Sequence, residues 1–325
     1  MARIRAALVL SAIAASGITY ARYSREIRAA RERVSLGGNV INTACGPIHF
    51  ADVGQGKPLL LIHGAGGGFD QGLLIAKQNG ISKHDYRIIA PSRFGYLQTP
   101  LPPEDASPAA QANAHACLLD ALGVRERVAV MGTSAGALSA MQFAIKYPGR
   151  VSALVLQVPD SWAPPESRGA AAAEIAGSQF ILNVVLRLEF IMWAFMKLAK
   201  GSMLVFMGVP KELQDRATQG ELDDAEELMR TMLPVSQRHE GIRQDAINSS
   251  SLERYALEDI HAPTLIIDAK DVTSFPGSQY TAEHIPNARL IAFEQGGHLL
   301  IGHGSETSMA IREFLRQHHD GGNVR

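Results

Sequence analysis

Ser134 stands in the pentapeptide Gly132-Thr133-Ser134-Ala135-Gly136, directly after the apolar run Arg127–Met131 and before a helix-like stretch from Ala137 to Tyr147. A serine flanked in this way on a strand-to-helix turn has its hydroxyl presented at the carboxyl end of a sheet. Free N–H groups at the start of the helix then favour negative charge beside it. Such a serine can act as an acyl-transfer nucleophile if a base takes its proton. His298, in Gln295-Gly296-Gly297-His298-Leu299, follows the last apolar run and lies downstream of the serine. That position fits the order Ser…acid…His, and a near-neutral imidazole suits proton transfer. The plain alternatives are a structural turn and a structural histidine; the strand–turn–helix setting favours chemistry. His84, His115, His261 and His284 have no supporting context, and His303 reads as a helix-start residue.

The elements that must position these groups alternate along the chain. Asn39–Ala44 and Ile48–Val53 predict a hairpin around Gly46-Pro47. Continuous apolar runs at Pro58–Ile62, Tyr86–Ala90, Arg127–Met131, Val151–Gln157, Thr264–Asp268 and Arg289–Phe293 predict strands buried on both faces. Helical patterns fall at about 71–78, 108–122, 137–147 and 305–317. The expected fold class is therefore α/β: a mostly parallel, doubly wound sheet with an antiparallel edge. From about Pro159 to Ala262 no strand is evident and helical patterns dominate, which predicts a helical insertion between strands 6 and 7. The expected division is an N-terminal segment 1–36, an α/β core of 37–158 and 263–325, and the insertion 159–262.

A chain of 325 residues, 46% hydrophobic, can bury one large core. A net charge of −1 and the lack of a basic cluster in the body of the chain give no reason to expect nucleic acid. No metal-ligand spacing and no phosphate loop are present, so neither metal nor cofactor is expected. Cys45 and Cys117 are far apart and are read as free buried thiols. The N-terminus departs from the globular average: Ala6–Tyr20 is apolar and is followed by Arg22, Arg25, Arg28, Arg31 and Arg33. The run is short for a bilayer span, and the arginines oppose export. A membrane anchor or membrane-lying helix, a cleaved signal, and a helix packed on the domain are the three readings. Membrane association on the cytoplasmic side is the expectation, and otherwise a cytoplasmic protein. An anchor of this kind would be separable from residues 37–325 without loss of activity.

From about Ile48 to Phe314 the chain resembles the α/β-hydrolase family, in particular capped members related to esterases, lactonases and meta-cleavage C–C hydrolases. The resemblance rests on Gly132–Gly136 and on His63-Gly64-Ala65-Gly66-Gly67-Gly68, directly after the strand Pro58–Ile62. It implies an oxyanion hole made by the backbone N–H groups of Ala65 (Gly66 if the loop is shifted) and Ala135. Glycines allow the close backbone approach that such a hole needs. His63 is read as a brace for the loop, and Ser92 and Arg93 as builders of a turn. In the family a Gly-x-Asp-Asp turn supplies the acid after the penultimate strand, but here Val272 occupies the second Asp position. Asp271, one residue away, is the expected acid; Asp160, after the sixth strand, and Asp268 are the alternatives, as is no acid at all.

Residues Phe180–Met196 are apolar nearly all round, so a helix there must be buried, dimerised or in lipid. Met192, Trp193 and Met196, with Gly66, are the expected lining of a hydrophobic substrate pocket. The reading that results is a serine hydrolase of an ester, lactone or related acyl bond in an apolar small molecule. C–C bond hydrolysis and a non-catalytic small-molecule receptor on the same fold are the rivals.

Overall fold

A computed structural model describes residues 2–167 and 188–319 of the chain, with side chains from residue 16 onward except that of Phe206. Eight strands form one sheet: β1 Asn39–Thr43, β2 Gly46–Gly54, β3 Lys57–Ile62, β4 Tyr86–Pro91, β5 Val128–Thr133, β6 Val151–Gln157, β7 Thr264–Ala269 and β8 Ala288–Phe293, in the order β1-β2-β4-β3-β5-β6-β7-β8. β1 and β2 pair antiparallel, as do β2 and β4; the remaining pairs are parallel. This is the expected sheet, with its antiparallel edge.

The unbroken apolar runs have a direct structural cause. Successive side chains of a strand point to opposite faces. Leu60 and Ile62 of β3 join one hydrophobic cluster and Leu59 and Leu61 join the other; Val128 and Val130 are divided from Ala129 and Met131 in the same way. Helices α3 (Pro108–Ala121) and α4 (Gly136–Lys146) cover the first face, while α2 (Phe69–Gln78) and the C-terminal helix (Gly304–His318) cover the second. The start of α3 is fixed locally: Pro108 takes the first helical position and the Ser107 side chain accepts from Ala110 N–H. A helix at Phe275–His284, which the sequence reading did not include, packs between β7 and β8.

Between β6 and β7 the described residues form α5 (Glu189–Leu198), α6 (Lys200–Phe206), α7 (Lys211–Arg216), α8 (Gln219–Arg230) and α9 (His239–Ser250). The part of the expected apolar helix at 180–187 lies outside the described residues.

One expectation is corrected here, and another finds no support. Cys45, exposed in the β1–β2 turn, and Cys117 on α3 form a disulfide, with their Cα atoms 5.9 Å apart. Sequence distance concealed the pairing, because α3 packs on β1 and so brings the two residues together. At the N-terminus, no helix among the described residues is long and apolar enough to cross a membrane. Residues Ala2–Leu36 form one helix, α1, whose C-terminal half docks on the domain. Ile27 and Ala30 pack with α5 and α6, and Val34 with Phe69 and Ala90, an i, i+3, i+7 face. The basic stretch supplies ion pairs: Arg31 to Glu189 at 2.8 Å and Arg33 to Asp70 at 2.8 Å.

Candidate active site

β5 runs into α4 through Ser134, whose φ of 51° lies in the left-handed region. A non-glycine residue there is strained and must be held by its surroundings. Ser134 N–H donates to Gln157 O (3.0 Å), and Ser134 O accepts from Ala137 N–H (2.9 Å) and Asp160 N–H (3.2 Å). The flanking glycines permit the tight turn. A Cβ on Gly136 would lie 2.4 Å from His63 O, and one on Gly132 would lie 2.7 Å from the Ala140 side chain. The Ser134 hydroxyl is 2.9 Å from Nε2 of His298.

Opposite the serine lies the loop His63–Gly68, held by hydrogen bonds to the core and the insertion. Gly64 N–H donates to Gln71 Oε1 (3.0 Å), Gly66 N–H to the Tyr96 hydroxyl (3.1 Å) and Gly67 N–H to Gly64 O (3.3 Å). Gly67 O accepts from the Arg238 guanidinium. His63 is fully buried; its Nε2 accepts from Arg93 N–H (3.0 Å) and its Nδ1 faces Gly64 O at 2.7 Å. Burial and the nearby Arg93 charge hold its pKa far below the ordinary value, so it is a neutral brace whose Nδ1–H donates to Gly64 O. Among the described hydrogen bonds, the N–H groups of Ala65 and Ala135 have no partner. Ala135 directly precedes α4, and Ala65 lines the same cavity as Ser134.

His298 lies in a short 3-10 turn, Gly297–Leu299, after β8. Its N–H donates to Gly208 O of the insertion at 3.1 Å. Burial lowers its pKa and the charge of Asp160 raises it, with a net shift below the ordinary 6.5. Asp160 in turn accepts from Ser249 Oγ at 2.7 Å. Burial raises the pKa of Asp160; Ser249, His298 and Arg93 pull it down, and Asp245 pushes it up.

Around Ser134 and His298 opens a cavity of about 610 Å³. The insertion contributes Met192, Phe195, Met203, Met207, Met232 and Ile242 to its wall, and the loop contributes Gly64, Ala65 and Gly66. Among the described residues its charged lining, His298 aside, is acidic: Glu221 and Asp224. Among the described residues no group of three or more His, Cys, Asp or Glu is placed to hold a metal ion.

The family model for the alpha/beta hydrolase fold matches residues 57–177, which include the serine turn and the His63–Gly68 loop. An uncharacterised hydrolase of Bacillus subtilis (strain 168) is 27% identical over 282 residues, covering 83% of this chain and 95% of that protein. The 2-hydroxymuconate semialdehyde hydrolase of Pseudomonas putida is 28% identical over 276 residues, 82% and 89% of the two chains. The solved structure of an alpha/beta hydrolase fold protein from Nakamurella multipartita superposes with a TM-score of 0.65 at 25% identity, covering 88% of this chain and 100% of that one. The chain has the α/β-hydrolase fold.

The three candidate acids sit differently around the histidine loop. Asp271 accepts from Gly296 N–H (3.1 Å) and Gly297 N–H (3.0 Å), so it props the histidine loop by its backbone, and the imidazole is not among its partners. Asp160 is the carboxylate whose charge acts on His298. Asp268 is buried under the sheet end, accepting from Ala269 N–H (2.8 Å) and Ser278 Oγ (2.5 Å).

The expected lining is corrected as well. Met192 and Gly66 face the cavity, but Trp193 and Met196 do not line it. Trp193 turns to α1, where its Nε1–H donates to Glu26 (3.0 Å) and its ring meets Tyr23 edge-on at 5.5 Å. Met196 is buried in the same α1–α5 cluster. Phe195, one turn along from Met192, takes the expected place. Helical spacing could have paired Met192 with Phe195, but an apolar surface all round the helix hides which stripe meets α1.

Proposed function

We propose that the chain is a serine hydrolase cleaving an ester, lactone or related acyl bond of a neutral, apolar small molecule through an acyl-enzyme. One observation carries this reading. Ser134 Oγ lies 2.9 Å from His298 Nε2, and both line a largely apolar cavity with Ala65; among the described hydrogen bonds the amides of Ala65 and Ala135 have no partner. Ser134 attacks the carbonyl carbon while His298 takes its proton, and the two amides receive the oxyanion. Collapse of the intermediate expels the alcohol, which takes the proton from His298; water then repeats the sequence on the acyl-serine. Asp160 supports the imidazolium that forms in each half. Residues 159–262 act as the cap over the core of 37–158 and 263–325, since α5, α6 and α9 supply apolar lining.

The similarity to the Pseudomonas putida enzyme favours C–C hydrolysis as a second reading. A muconate carries a carboxylate, however, and among the described residues no lysine or arginine lines this cavity, whereas Glu221 and Asp224 do. Uncompensated like charges disfavour an anionic ligand, so neutral esters are preferred.

A fluorophosphonate probe should label Ser134 in the wild type and not in Ser134→Ala. Neutral p-nitrophenyl esters should be hydrolysed in preference to a p-nitrophenyl hemisuccinate. Ser134→Ala should lower turnover by at least ~10³-fold. Equal activity of variant and wild type would end the serine reading, and faster turnover of a dienoate than of any ester would hand the site to C–C hydrolysis.

A further inference from the structure

Helix α9 of the insertion carries Ile242, Asp245 and Ser249 on one face, spaced i, i+3, i+7. Ile242 lines the cavity. Asp245, buried, receives both terminal nitrogens of the Arg93 guanidinium, at 2.5 and 2.7 Å, and the Tyr96 hydroxyl. Tyr96 in turn accepts from Gly66 N–H, and Arg93 Nε donates to His63 O at 2.9 Å. One carboxylate on α9 thus reaches both ends of the loop segment that contains Ala65. One turn further along, Ser249 donates to Asp160 at 2.7 Å.

The docking of α9 leaves no slack. Gly241 N–H donates to Gly95 O at 3.0 Å, and a Cβ on Gly241 would fall 2.2 Å from the buried Tyr96 ring. Helix and turn therefore meet backbone to ring, and a displacement of one must move the other.

We propose that α9 is a tie-bar that couples the ligand-contacting Ile242 to both arms of the catalytic site, Asp245 setting the oxyanion loop and Ser249 setting Asp160. The proposal rests on the roles given above to Ser134, His298 and Asp160. Asp245, Tyr96 and Ser249 touch no reacting atom and are positioning residues. The two arms have different signatures. Asp160 is faced by His298, Asp245, Arg93 and Ser249, and its charge also reaches Asp268. Loss of the Ser249 hydrogen bond destabilises the ionised carboxylate, so Asp160 keeps its proton to higher pH. Loss of the Tyr96 hydroxyl frees the Gly66 amide and loosens the hole without touching a group that titrates near neutrality.

The test is the rate of fluorophosphonate capture at Ser134 across pH, with thermal melts as the folding control. Ser249→Ala should move the acid limb up by about half a unit or more with little loss on the alkaline plateau, and Ser249→Thr should restore it. Tyr96→Phe should lower the plateau ~10-fold or more and leave the limb in place. Folded variants with an unmoved limb and a plateau within about twofold of wild type would overturn the coupling. If wild-type Ser134 is not captured at all, the hydrolase assignment falls first, and the His298 titration followed by NMR decides the coupling. The midpoint should drop in Ser249→Ala, because a protonated Asp160 no longer stabilises the imidazolium; an unchanged midpoint would overturn it.

Discussion

Arg33 Nε donates to Asp70 Oδ2 at 2.8 Å, which ties the N-terminal helix to the first helix of the α/β core. Asp70 is buried and also holds Arg238, a fully buried arginine of the insertion, at 2.9 Å. Arg33 reaches the same insertion through Leu233 O at 2.5 Å. Three parts of the chain therefore close on one carboxylate next to the oxyanion loop.

The first prediction follows from that junction. Removing residues 1–36 should destabilise the domain strongly, because it uncovers the α5–α6 cluster as well as Asp70, and a separable anchor would not do so. Arg33→Ala alone should cost about 1 kcal/mol, since Asp70 keeps Arg238 and Arg33 is partly exposed. Urea unfolding of the three proteins checks this; a truncated protein as stable as the full chain would contradict it.

The acid is the second. Asp160→Asn should lower kcat on the order of 10³–10⁴-fold, because the imidazolium loses its counter-charge and preferred tautomer. Asp271→Asn keeps an acceptor for the Gly296 and Gly297 amides and should cost about tenfold or less. The reverse ranking in steady-state kinetics would return the acid to Asp271.

How far the site was legible depends on how local its causes are. Ser134 and His298 could be found because each sits in a short glycine-bearing turn whose geometry is encoded within a few residues. The β3, β5 and β7 runs were legible because burial on both faces leaves an unbroken apolar string. The choice among the aspartates was not, since Asp271 caps the backbone amides of a loop 25 residues away, while Asp160 is held by Ser249 from 89 residues away. Trp193 was misplaced for a related reason: only the packing of α1 distinguishes it from Met192 and Phe195. Cys45 and Cys117 meet because α3 lies on β1, a contact with no signature in spacing.

The disulfide supplies the third prediction. Its 72-residue separation makes it a restraint chiefly on the unfolded chain. The Cys45→Ser, Cys117→Ser double variant should lose about 2–4 kcal/mol of stability. Its turnover at 25 °C should be unchanged, since the bond joins the β1–β2 turn to α3, away from the residues lining the cavity. Guanidinium unfolding with and without reductant checks the first part and ester turnover the second.

The last prediction concerns Asp268, a carboxyl with no solvent exposure. Burial pushes its pKa up to about 6, helped by the charges of Asp271 and Asp160 and opposed by Ser278 and the Ala269 amide. Its folded-state pKa lies above the ordinary 3.8, so the folded protein binds this proton more tightly than the unfolded chain does. Above pH about 6 the residue is ionised in both states and its burial destabilises the fold in full. As pH falls from 6 toward 3.8 the folded state takes up the proton and that cost disappears. Asp268→Asn keeps an acceptor for Ala269 N–H and offers an amide donor to Ser278, but carries no charge. The variant should therefore be more stable than wild type at pH 8, by up to about 3 kcal/mol. The gain should shrink to nothing near pH 4. Melting curves of both proteins from pH 4 to 8 read this difference directly. A stability gap independent of pH would mean that folding leaves the Asp268 pKa unshifted, and a variant less stable at pH 8 would mean that its charge is needed there.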